Sequence, residues 1–325
     1  MPPSDLSSRA RRLLPRRDAL RRLAAAGLAM TTGIDPAGAD ASGRALGSYY
    51  ARHITLAGGQ AFVWEGSEAP RAAWRTLADL VQAGASQRAW YLLRAQGDLL
   101  RSADAGEAAP RLLMRGAVSF AAGQSGWFAL DAAAALWYGA TPGGAADAAP
   151  VRLAAEVATA CIGDSADYYI THAGELFVKG LAHRGQYGDG KLTATPHFVA
   201  TAGNAVAVRA HTGHALHLKR DGSVHGTGGN RYGPLSSHGL GDKADRWGPI
   251  FEGAVAIATG SRHSLAVRAD GSLWAWGEGF EIPPRKIFDG VAEVAAGDTA
   301  TLALTRSGEL WQWERGGAPR RLRAG

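Results

Sequence analysis

Four histidines stand close together in RAHTGHALHLKRDGSVH, residues 209–225: His211, His214, His217 and His225. Imidazoles at short spacing are the residue type that binds a transition metal or moves a proton. On a strand, side chains alternate between faces, so His211 and His217 could share one while His214 points away. His211 and His217 are therefore the only metal candidates, and two ligands make an incomplete site. His214 instead aligns with His263 in a later repeat, which suggests a hydrogen bond between neighbouring sheets.

Other chemistry is sparse. The chain has no G-x-S-x-G elbow, HExxH helix, phosphate loop or paired-cysteine motif. Its single cysteine, Cys161, lies among alanines in an apolar run and reads as a small core residue. Acids such as Asp164, Asp167, Asp189 and Asp242 fall in turn-like contexts. No cofactor, catalytic residue or enzyme activity is expected, although a carboxylate pair across repeats is the one arrangement a sequence conceals.

Two long connections are richer. Residues 180–197 read GLAHRGQYGDGKLTATPH, and residues 226–248 read GTGGNRYGPLSSHGLGDKADRWG. Between them they carry Arg184, Tyr187, Asn230, Arg231, Tyr232, Arg246 and Trp247. Arginine, tyrosine and tryptophan anchor protein interfaces, and long loops on a rigid scaffold commonly hold function. These seven are the partner-binding candidates; the competing expectation is that the loops pack on themselves.

The scaffold that must position them is a repeat. VAIATGSRHSLAVRADGSLWAWGEG (Val255 to Gly279) is echoed by VAEVAAGDTATLALTRSGELWQWERG (Val291 to Gly316) and by five earlier segments. Aligned on one position, small everywhere but at His211, the seven copies start at Ser48, Ser86, Gly123, Gly163, His211, Gly260 and Gly297, 37 to 49 residues apart. Most contain an alternating apolar run, an x-Gly turn (Gly59, Gly97, Gly174, Gly222, Gly271, Gly308) and a second run, the pattern of a hairpin. The third copy has Ala133 and Ala134 at the turn, so a different turn is expected there. A proline follows each start by 22 to 38 residues: Pro70, Pro110, Pro150, Pro196, Pro249, Pro283 and Pro319. Proline lacks the amide donor and suits the entry to an edge strand. Each unit is thus a sheet of about 40 residues that cannot bury both faces alone. The fold class expected is all-β, a seven-bladed β-propeller. Because the chain ends on a proline strand and lacks one at its start, the C-terminal strand is expected to close the first blade.

GGNRYGPLSSHGLGDKADRWGPI (Gly228 to Ile250) and the Val255 segment are similar to repeats of the regulator of chromosome condensation family. Gly228, Asn230, Gly233, Leu235, Gly239, Gly241, Asp242 and Pro249 match that family's loop signature. Pro234 stands where glutamine is usual, and Ser236 to His238 look inserted. GQYGDG (Gly185 to Gly190) is a shorter echo. The short repeat looks most like the secreted bacterial branch typified by beta-lactamase inhibitory protein II. That resemblance implies a seven-bladed ring gripping a partner protein with one face.

Residues 1–41 read as a twin-arginine-type export signal: Arg16 and Arg17, a short apolar run from Leu23 to Met30, then Ala39 and Ala41 as a small-x-small cleavage site. That run is too short to span a bilayer. The propeller would then occupy residues 42–325. The leader also accounts for half of the net charge of +6: without it the chain keeps 28 basic and 25 acidic side chains. So balanced a body does not attract phosphates strongly, and no nucleic acid is expected. The functional expectation is an exported, non-catalytic, monomeric propeller, periplasmic or secreted, that binds or inhibits an extracytoplasmic protein. The alternative is a periplasmic carbohydrate-active enzyme or glycan binder using the mouth of the ring.

Overall fold

The computed structural model describes residues 46–105, 109–140, 149–236, 241–280 and 282–323. Arg16, Arg17, Ala39 and Ala41, on which the expected export signal rests, lie outside them. Described residues form seven four-stranded antiparallel sheets and no helix. Every sheet consists of four consecutive strands, so the blades cover residues 46–73, 80–114, 117–154, 157–202, 205–251, 254–288 and 291–322. The first strand of each blade lies against the first strand of the next, and the seventh returns to the first. Seven sheets thus close into a propeller with the first strands around its axis. Among the described residues no helix is long and apolar enough to cross a membrane.

The repeat elements fall where the sequence puts them. The x-Gly turns join second to third strands with φ between 78° and 91°. In the third blade Ala134 takes φ 58° instead. Asp131 sustains that turn by accepting the amides of Ala133 (2.9 Å) and Ala135 (3.0 Å) and the Trp137 indole (2.9 Å). Burial alone would raise this carboxyl; the three donors outweigh it and hold it below its ordinary range. Six of the seven prolines enter the outermost strand or stand just before it, and Pro249 lies near the end of its outer strand, Lys243–Phe251, so all seven sit at a sheet's outer edge.

One expectation is corrected. The strand Arg320–Leu322 does not complete the first blade; it pairs with Leu310–Glu314 as the outer strand of blade 7. The first blade already has its own inner strand, Leu46–Tyr49, paired to Arg52–Ala57. That four-residue strand is too short to stand out as an apolar run. The ring therefore closes between complete sheets. Leu46 and Trp64 of blade 1 pack against Leu302, Leu304, Leu310 and Leu322 of blade 7. The Trp64 indole donates to Gln312 Oε1 at 3.1 Å, and the Asp298 amide donates to the Tyr50 carbonyl at 3.2 Å.

A regularity beyond the sequence reading sits in the inner strands. In six blades the pairing register skips the residue five before the shared position: Val81, Val118, Ala158, Val206, Val255 and Ala292. Such bulges add twist and release the extra side chain from the ladder; Val255 is 51% exposed.

The interblade core follows the small-then-large pattern. Ala266 is buried in one cluster with Trp276, which is fully buried and donates its indole N–H to the Pro234 carbonyl at 2.7 Å, while Ala258 is buried on the other face of the sheet with Leu265 and Ala275. Histidines link blades as expected: His214 Nε2 meets Ser264 Oγ at 2.9 Å, and His263 Nε2 meets Thr301 Oγ1 at 3.0 Å.

Candidate functional site

Turns between first and second strands, and loops between third and fourth strands, open on the same face of the ring. Both long connections are loops of the second kind, at residues 181–194 in blade 4 and 230–242 in blade 5. They emerge side by side, as their equivalent places in the repeat require, and each leans on the following blade.

In blade 4 the loop is fixed from within. Tyr187 is 1% exposed; its hydroxyl donates to the Gly180 carbonyl at 2.8 Å and accepts the Thr195 amide at 2.9 Å, clamping both loop ends. Tyr168 holds the Gln186 carbonyl at 2.8 Å, and Gln186 Oε1 accepts the Arg184 amide at 2.9 Å. A bridge between Asp189 and Arg246 joins the loop to blade 5, with backbone bonds from Gly190 to Asp245 (2.8 Å) and from Trp247 to Gly188 (3.2 Å). A side chain at Gly188 would meet the Trp247 ring at 2.4 Å, and φ there is 67°, so only glycine fits.

Blade 5 repeats the plan. Asn230 is buried, its side-chain oxygen accepting the Leu235 amide at 3.0 Å. Leu235 is wholly buried in the core between blades 5 and 6, and the Pro234 carbonyl takes the Trp276 indole and Ser264 Oγ. Trp247 is half-buried, edge-on to His217 at 4.5 Å and bonded to Thr201 Oγ1 at 3.1 Å.

The seven partner-binding candidates therefore separate. Tyr187 and Asn230 are inside, satisfying the loops' own backbone, and Trp247 is a brace. Arg184, Arg231, Tyr232 and Arg246 are exposed. Tyr232, 39% exposed, stands between two guanidinium groups, with Arg262 at 4.4 Å and Arg231 at 5.9 Å from its ring centre. Arg262 is held in turn by Glu278 at 3.1 Å. Glu278, Arg262, Tyr232 and Arg231 thus form an ordered row across blades 5 and 6. Arg262 was not among the candidates; it lies in the short turn of blade 6, where sequence marks only the repeat.

A second cluster lies in the mouth of the ring on this face, and its members are scattered through the sequence. Tyr49 donates to one oxygen of Asp164, and Tyr50 donates to the other at 2.9 Å. Blade 1 thereby reaches across to blade 4. His211 stacks on Tyr49 at 5.1 Å and meets Thr212 Oγ1 and Ser261 Oγ at 2.9 and 3.3 Å. Burial pushes Tyr50 up to about 12, with Asp164 adding to the rise, so both groups stay in the donor state at neutral pH. Burial also lowers His211, which stays neutral.

The histidines do not assemble a metal site. His211 belongs to the mouth, whereas His217 lies in the sheet, stacked on His225 at 5.3 Å. Among the described residues no three His, Cys, Asp or Glu side chains are placed to hold an ion. Burial pushes the Cys161 thiol up to about 11; its sulfur accepts the Ala210 amide at 3.3 Å, a packing role.

Comparison with known proteins places this geometry. Residues 254–281 match the family model of the Regulator of chromosome condensation (RCC1) repeat. The Ultraviolet-B receptor UVR8 of Arabidopsis thaliana is 29% identical over 120 residues, spanning 34% of this chain and 27% of that receptor. Among solved structures, Prp20p from Saccharomyces cerevisiae, described with its binding properties to Gsp1p and histones, has a TM-score of 0.64 at 17% identity. That likeness covers 78% of this chain and 80% of that one. The CRINKLY WD40 ectodomain of the Arabidopsis thaliana receptor kinase ACR4 gives 0.57 at 14% identity, covering 87% and 98%. At such identities these structures share the fold. With seven four-stranded blades in a ring and a match to the regulator of chromosome condensation repeat in its sixth blade, the chain is a seven-bladed β-propeller whose repeats resemble those of that family.

Proposed function

We propose that this chain is an exported, non-catalytic propeller that binds an extracytoplasmic protein through the loop face of blades 4 to 6. The row of Arg231, Tyr232 and Arg262 carries the proposal. These are the side-chain types that dominate binding energy, held exposed on loops already braced to their neighbours, so little conformational freedom is lost on contact. The tyrosines bridging the mouth favour a partner that lies across the face over one that enters the channel. Prp20p's described partners, Gsp1p and histones, are proteins; a protein partner here is consistent with that. Export rests on the Arg16–Arg17 pair and the Ala39-x-Ala41 site, and an inhibitory role on the resemblance to the secreted bacterial branch.

The glycan-binding alternative has one feature in its favour: Asp164, Tyr49 and Tyr50 meet in the mouth, a carboxylate beside aromatic rings. Both oxygens of Asp164 are occupied by tyrosine hydroxyls, which leaves it poorly placed as an acid or base. A capture experiment separates the two. Wild-type bait should retain a protein from extracytoplasmic extract that an Arg231→Ala, Tyr232→Ala bait loses. Retention of the same proteins by both baits, with binding to a glycan array, would favour the alternative. N-terminal sequencing of the exported protein should begin at Ser42.

A further inference from the structure

Arg184 and Arg231 are exposed, and neither forms an ion pair among the described residues. Arg184 lies over a floor of backbone: a side chain at Gly213 would meet its guanidinium at 3.2 Å, and one at Gly229 would come within 3.6 Å of its stem. Arg231 ends the row of stacked side chains, its head turned over Tyr232. Two guanidinium forks on one rigid face, both lacking an anion, are built for planar bidentate recognition. Which anion they suit follows from what surrounds them. Glu278 stands at the far end of the same row. Asp164 and Asp298 occupy the mouth, and Asp298 has no side-chain hydrogen bond or ion pair to another described residue. A polyphosphate chain laid on this face would meet those carboxylates; a protein surface presents isolated carboxylates and can set basic or neutral groups opposite them.

Resting on the protein-binding reading above, we infer that the partner meets Arg184 and Arg231 with carboxylate side chains, so that the loop face selects an acidic protein surface and rejects polyanions such as nucleic acid. The aromatic ring of Tyr232, between Arg231 and Arg262, supplies apolar contact beside them.

The test uses the full chain and a fluorescein-labelled 20-residue polyglutamate peptide, read by anisotropy at low salt. The Arg184→Glu, Arg231→Glu double variant should weaken binding at least about fivefold. Arg220→Glu, an exposed arginine in a turn on the opposite face, should leave it unchanged. Equal binding by all three proteins overturns the inference. So does displacement of the peptide by a single-stranded DNA of equal charge at the same or lower concentration, since the face would then be a general polyanion site. Failure here is distinguishable from failure of the parent reading. Loss of the captured protein in alanine variants of these arginines, with polyglutamate binding insensitive to charge reversal, keeps the face and removes the carboxylates.

Discussion

Replacing Trp64 by phenylalanine should loosen the ring at the one seam that joins its first and last blades. Trp64 is 1% exposed and sits between blade 1 and the leucines of blade 7, with its indole N–H on Gln312 Oε1. Three costs accumulate. The lost hydrogen bond is worth about 1 kcal/mol net, and the Gln312 oxygen left buried without a donor adds about 1–2 kcal/mol. Removing about 40 Å³ of ring from a packed site adds roughly 1 kcal/mol. The sum, about 3–4 kcal/mol, should lower the unfolding midpoint by about 5–10 °C in a domain of this size. Thermal unfolding followed by circular dichroism reads it directly. A double-mutant cycle with Gln312→Met isolates the pair and should return a coupling of about 1 kcal/mol. Gln312 Nε2 also donates to the Gly66 carbonyl at 2.8 Å, so Gln312→Met alone should destabilise as well. A midpoint within 1 °C of wild type would refute the reasoning and mean that the seam contributes little to ring closure.

Three further outcomes follow from the same geometry. Burial holds His53 and His263 near 4 and His214 and His217 near 3. With folded values below the unfolded 6.5, the stability tied to their neutral forms is present above pH 6.5 and lost as pH falls toward 3–4. At pH 5 this amounts to about 2 kcal/mol for each histidine. Asp167, raised to about 6 by burial, acts the opposite way and stabilises as pH falls through 6, but one carboxyl does not offset four imidazoles. The unfolding midpoint should therefore drop between pH 7 and pH 5; a flat profile contradicts the burial. Tyr187→Phe should cost about 1–2 kcal/mol and accelerate hydrogen exchange in residues 181–194 while sparing other loops; uniform protection would show that the clamp is dispensable. Tyr49→Phe and Asp164→Asn should couple by about 1 kcal/mol in a stability cycle, and additive effects would mean that the bridge across the mouth contributes nothing.

Periodic features were legible in the sequence and pairing across the ring was not. Recurring apolar pairs and edge prolines repeat in every blade, and x-Gly turns in six of the seven, because every sheet needs the same hairpin and the same kind of outer edge. Their common spacing is enough to count seven blades. Closure was misread because a strand such as Arg320–Leu322 carries no mark of which sheet it joins, and its inner counterpart Leu46–Tyr49 is only four residues long. At the site, residue type singled out Arg231 and Tyr232, which are exposed, and Tyr187 and Asn230 on the same grounds. The latter two are inside because a long loop crossing a sheet edge must satisfy its own amides and carbonyls, and a tyrosine or asparagine does that as readily as it meets a partner. Tyr49, Asp164 and His211 could not be grouped beforehand. They lie 115 and 47 residues apart along the chain, and only closing the ring brings them together.

The central claim is that the loop face of blades 4 to 6 is where a protein docks. Hydrogen exchange of the full chain, free and with the captured partner, tests it most directly. Protection concentrated in residues 181–194, 230–236 and 260–263, with the opposite turns near Gly97, Gly174 and Gly222 unchanged, is the outcome this account requires. Protection on those opposite turns, or along the outer strands alone, would place the partner elsewhere and contradict it.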